Sequence, residues 1–98
     1  MYLQMNVKVL RMNTGEEVVF TLVSETENTI EIENPLMDIP STQGQIGFGP
    51  WAPLVKNDET ITIGKEFVVY LEDVQVDVLE QYEKIFSPIE TPSKKLIL

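Results

Sequence analysis

The sequence contains no cysteine and no histidine. The first absence excludes disulfides and thiolate metal sites, and the second removes imidazole ligands. Together they eliminate the Cys- and His-based routes to nucleophilic catalysis. No apolar run approaches the roughly 18 to 20 residues that a membrane-spanning helix requires. The amino-terminal stretch "MYLQMNVKVL" alternates in polarity and lacks the basic start and small-residue cleavage site of a secretory signal. It reads as part of the fold, and a cytoplasmic setting is expected.

Positive charge is also scarce, with 7 Lys and Arg against 16 Asp and Glu and a formal net charge of −9. Proteins that bind nucleic acid gain affinity by neutralising phosphates, so any such contact here has to be local. The acidic balance taken alone favours a protein-interaction or structural domain. What is present is enough for one folded unit: 98 residues, 43% of them hydrophobic, support one core but not two ordinary domains.

Period-two alternation dominates the chain. Leu3, Met5, Val7 and Val9 share one face of a first strand, with Gln4, Asn6 and Lys8 on the other. "RMNTGEEVVF" then places an Asn13-Thr14-Gly15 turn before a second strand, where Val18, Phe20 and Leu22 alternate with Val19, Thr21 and Val23. Gly15 supplies the positive φ of such a turn, and a run apolar on both faces suits a central or strongly curved strand. After "SETEN", Ile30 and Ile32 alternate with Glu31 and Glu33, which predicts a third strand with one buried and one acid-coated face.

The middle of the chain is punctuated by Pro35, Pro40, Pro50 and Pro53 and by Gly44, Gly47 and Gly49. These residues favour short extended pieces over a helix, with "PLMDI" prolonging the third strand and "QIGF" opening another. "ITI" and "FVVYLED" are separated by Gly64 and Lys65, which suggests a sharp corner between two short strands. From Asp77 the period changes. Val78, Leu79, Tyr82, Ile85 and Phe86 fall on one helical face, and Asp77 with Glu80 has capping-box spacing. Ser87-Pro88 ends that helix, and "IETPSKKLIL" reads as a tail. The expected organisation is a domain over residues 1–86 and a tail over residues 87–98.

Catalytic and metal signals are weak. Asp73 with Asp77 and Glu80 with Glu83 read as a solvated acidic face, because neither pair belongs to a calcium-loop pattern. Ser24, Ser41, Ser87 and Ser93 have no histidine to activate them and no nucleophile-elbow motif around them. A non-enzymatic protein without metal or cofactor is expected. A sheet of about five strands buries a face well only by bending into a partial barrel. That barrel leaves edges that a second chain can pair, so oligomerisation is a natural remedy.

The order of elements resembles the Sm and Sm-like (LSm) family, whose strongly bent antiparallel five-stranded sheets form open barrels that pair edge to edge. "VKVLRMNTGEEVVFTLVSETENTIEIEN" follows the family's first motif with Gly15 at the turn, and "ITIGKEFVVYL" follows the second with Ile63, Gly64 and Lys65. "NTGEE", "NPL", "PWAPL" and "LEQY" look more closely like the short Sm-like proteins carried by phages of marine cyanobacteria. The likeness runs from about residue 5 to residue 86. It departs from the family in the reversed order of glycine and base at Gly64-Lys65. It also departs in carrying its helix at the end of the domain rather than at its start.

The resemblance implies a homo-oligomeric ring of about five to seven subunits that binds RNA or single-stranded DNA. For a phage-encoded chain it would act in the cytoplasm of the infected host cell. The family's Asp-x-x-Met-Asn loop falls on residues 25 to 29, with Glu25 in the acidic place, Asn28 one place early and Thr29 in the usual Asn place. Asn28, Thr29, Gly64 and Lys65 are therefore the expected nucleic-acid contacts. Phe48 and Trp51 suit either a base-stacking platform or packing onto the barrel or a neighbouring subunit. The competing expectation is a non-catalytic scaffold ring that uses its acidic surface and the "KKLIL" tail to hold other proteins.

Overall fold

A computed structural model describes residues 6–39, 47–56 and 59–86. It is a mainly β, antiparallel structure with one short helix at the end of the described chain. β1 (Val7–Met12), β2 (Glu17–Glu25) and β3 (Thr29–Ile39) form a meander, followed by β4 (Gly47–Pro50) and β5 (Ile61–Gly64). A single 3₁₀ turn, Lys65–Phe67, leads into β6 (Val68–Asp73), and the helix α1 spans Val76–Phe86.

Among the described residues the sheet has 6 strands, in the order β4-β3-β2-β1-β6, with β5 also on β3. β4 falls where "QIGF" was expected to open a strand, and it pairs with the far half of β3 through Leu36↔Pro50 to Ile39↔Gly47. β5 takes the near half through Thr29↔Gly64 to Ile32↔Ile61. β5 and β6 thus lie on opposite sides of the β1–β3 meander, yet only Lys65–Phe67 separates them in sequence. The sheet must curl until its two sides approach each other, and it stays open because β5 and β6 form no ladder together.

Interruptions in the ladders supply the curl. Between Thr21↔Glu33 and Val19↔Leu36, β3 carries an extra residue at Asn34 and Pro35. Proline has no N–H to give the ladder, and Asn34 takes a left-handed φ of 54°. Opposite Leu22↔Ile32 and Ser24↔Glu31 the extra residue is Val23, and between Arg11↔Tyr70 and Met12↔Val68 it is Val69. Bulges of this kind bend a strand and increase its twist.

Both sheet faces are covered. Leu10, Val18, Phe20, Ile30, Ile32 and Ile63 form the cluster inside the curl, with Leu22 and Leu71 packed on it. Burial of a large apolar side chain such as Phe20 contributes roughly 1.5 to 3 kcal/mol. Val7, Val9, Val19 and Leu36 point the other way and receive Val78, Leu79, Tyr82 and Phe86 of α1. The two-sided apolar character of β2 follows directly: Val18 and Phe20 face inward while Val19 faces the helix.

The helix differs from expectation at its start and on one flank. It begins at Val76, so Asp77 lies within the first turn, where its Oδ1 accepts from the Val78 N–H at 2.9 Å. The expected Asp77–Glu80 capping box would need Asp77 outside the helix. Ile85 is 53% exposed, because the sheet receives the neighbouring stripe centred on fully buried Tyr82. Leu3, Met5, the start of the "QIGF" segment and the tail over residues 87–98 lie outside the described residues. Among the described residues no helix is long and apolar enough to cross a membrane.

Candidate nucleic-acid interface

The turn between β2 and β3 is organised by one hydroxyl. Thr26 Oγ1 accepts from the backbone N–H of Asn28 at 3.2 Å and of Thr29 at 3.0 Å, and it also meets Thr29 Oγ1 at 2.8 Å. The Thr26 N–H closes the turn onto the Thr29 carbonyl at 2.8 Å. Short polar side chains favour such turns because they bond to the nearby backbone. The result fixes the main chain at Asn28 and leaves its side chain exposed.

The corner between β5 and β6 docks against this turn. Thr29 is the ladder partner of Gly64, and the Lys65 N–H donates to the Asn28 carbonyl at 2.8 Å. Asn28, Thr29, Gly64 and Lys65, drawn from two distant parts of the chain, therefore come together at one end of the curled sheet. The Lys65 Nζ reaches across the junction to Glu25 Oε2 at 2.7 Å. Glu25 and Lys65 also border a shallow pocket of about 290 Å³ with Ile30 and residues 68–71.

Gly64 has an ordinary extended backbone, with φ −72° and ψ 134°. A Cβ added there would sit 3.5 Å from Glu66 Oε1 and from the Phe67 ring, which is normal contact. The turn itself is made by the 3₁₀ segment, so no backbone strain calls for glycine. Phe67, which is 46% exposed and whose ring lies beside Gly64, is an aromatic at this junction that the sequence expectations did not include. The signal was its place two residues beyond Lys65 in "GKEF". Thr26 was also passed over, although a threonine three residues before Thr29 is a recognisable turn former.

Phe48 and Trp51 do not meet. Phe48 packs on the helix-side cluster of Val7, Val19 and Tyr82, whereas Trp51 packs on the inner cluster and its Nε1 donates to Glu16 Oε1 at 3.3 Å. Each is half-buried against its own chain. A larger pocket of about 360 Å³, lined by Asn34, Pro35, Leu36, Pro53, Val55 and Phe86 among others, shares no residue with the Asn28–Lys65 junction.

Among the described residues Lys8, Arg11 and Lys65 are each paired with a carboxylate. Lys8 Nζ lies 2.6 Å from Asp73 Oδ1. That hydrogen bond is the main reason the Lys8 ammonium titrates above its usual value, with more distant help from Glu72 and Glu25. Arg11 meets Glu17 at 3.4 Å, donates to the Gly15 carbonyl at 3.0 Å and lies over the Tyr70 ring. Tyr70 in turn donates to Glu17. Among the described residues no group of three or more His, Cys, Asp or Glu side chains is placed to hold a metal ion. Compared with known families and with curated proteins, the chain matches no family model and no curated protein.

Proposed function

We propose that this chain is a non-catalytic, Sm-like, ring-forming protein whose subunits each present a site for single-stranded RNA or DNA at the junction of the β2–β3 turn and the β5–β6 corner. The observation that carries the reading is the convergence of Asn28 and Thr29 with Gly64 and Lys65, because it unites an exposed amide, an ammonium group and an unobstructed backbone. Asn28 would meet base edges or sugar hydroxyls, Lys65 would meet a phosphate, and the half-exposed Phe67 ring offers a stacking face. Among the described residues β5 has β3 as its strand partner and β6 has β1, so each has an unpaired edge. Pairing β5 of one subunit with β6 of the next is a head-to-tail contact, and such contacts close into rings when the rotation permits. A ring repeats the site, so avidity offsets the poor charge of each copy.

A second reading is a scaffold ring that holds proteins and not nucleic acid. The pairing of Lys8, Arg11 and Lys65 with carboxylates on a chain of net charge −9 favours it. Titration of fluorescently labelled oligo-uridine and single-stranded DNA at low and moderate salt separates the two. Saturable binding that weakens with salt supports the nucleic-acid site. Absence of binding at low salt, where charge contacts are strongest, leaves the scaffold.

A further inference from the structure

We propose that Glu25 is an internal competitor for the cation of this site, so that a phosphate reaches Lys65 only by displacing the Glu25 carboxylate. The inference rests on the nucleic-acid reading above and adds a regulatory element to it. Glu25 Oε2, at 2.7 Å from Lys65 Nζ, occupies the position that a phosphate oxygen would take in a charge-assisted hydrogen bond. The two side chains are 44% and 34% exposed, so the pair is screened by water and weak enough to exchange.

The backbone around the pair is fixed independently of it. The Lys65 N–H bond to the Asn28 carbonyl and the Thr29↔Gly64 pairing hold the corner whether or not Nζ stays on Glu25. Only a side chain has to swing. The same carboxylate acts at longer range on Lys8, whose own partner is Asp73. Glu25 therefore cancels the charge of the junction's lysine and weakens the field of a second one, which leaves a resting site that does not attract polyanions. A ring would carry one such contact per subunit, and a single strand would open them in succession.

The test uses the full chain and labelled oligo-uridine. Glu25→Gln removes the competitor, Glu80→Gln on the exposed side of α1 makes the same change in net charge elsewhere, and a Glu25→Gln/Lys65→Gln double variant removes both partners. Glu25→Gln should bind about two- to fivefold tighter than Glu80→Gln, with a steeper salt dependence, and the double variant should lose that gain. Glu25→Ser serves in its place if Glu25→Gln alters the assembled mass. Affinity equal to that of Glu80→Gln, or weaker than wild type, overturns the competitor role while leaving the nucleic-acid site intact. No binding by wild type or by any variant at low salt overturns the nucleic-acid reading itself, and the competitor role with it.

Discussion

Thr29 on β3 and Gly64 on β5 stand opposite each other in one antiparallel ladder, and this pairing sets Asn28 against Lys65. The geometry makes Lys65 testable without disturbing the fold, because its structural bond uses the backbone N–H and its side chain is free to be changed. Lys65→Glu should leave the assembled mass unaltered and weaken oligonucleotide binding by about tenfold or more, since it sets a second carboxylate against Glu25. Unchanged affinity would remove Lys65 from the site.

The glycines at the two turns should behave differently. Gly15 has a φ of 102°, a conformation that costs an L-residue about 1 to 2 kcal/mol, so Gly15→Ala should lower the urea midpoint accordingly. Gly64 is extended with room for a methyl group, and Gly64→Ala should change stability by no more than about 0.5 kcal/mol. A loss of oligonucleotide affinity in that stable variant would show that the ligand approaches the backbone closely.

Tyr82 fastens α1 to the irregular part of β3. Its hydroxyl lies 2.9 Å from Thr21 Oγ1 and donates to the Asn34 carbonyl at 3.0 Å, a carbonyl that the bulge withdraws from the ladder. Tyr82→Phe should cost about 1 kcal/mol at neutral pH. Burial, opposed in part by the Thr21 hydrogen bond, pushes the phenol from 10.0 up to about 12. A raised pKa in the folded state gives stability that is complete below pH 10 and is lost as the pH climbs toward 12. Unfolding titrations between these limits should show wild type losing stability more steeply than Tyr82→Phe.

Among the described residues β6 pairs with β1 alone, and its other edge bears on assembly. Val69 is 61% exposed at the bulge, and lysine at such a position blunts edge pairing. Val69→Lys should shift the mass in solution toward smaller species while the far-ultraviolet spectrum stays that of a β protein. An unchanged mass would place the subunit contact elsewhere.

The meander was legible because each of its strands alternates and its turns are marked by Gly15 and by the polar stretch "SETEN". The convergence of Asn28 with Lys65 was anticipated through resemblance, since no local pattern states that β5 pairs with the near half of β3. β4 was legible as an extended piece from "QIGF", but its partner was not, because "GFGP" has no alternation to display and the pairing depends on β3 running on through Pro35 to Ile39. The position of Ile85 outside the packed stripe was hidden for a related reason. Helical spacing places Ile85 beside Tyr82, and only the curvature of the sheet decides which flank is covered. Glu25–Lys65 was not legible as an ion pair, because it depends on two side chains meeting across a ladder.

Hydrogen–deuterium exchange of the assembled protein with and without oligo-uridine locates single-stranded nucleic acid on the subunit. Binding at the junction should slow exchange in peptides spanning residues 25–29 and 64–67 and leave α1 unaffected. Protection confined to α1 or to residues 50–56, or no change under saturating oligonucleotide, would place the ligand away from this junction or show that none binds.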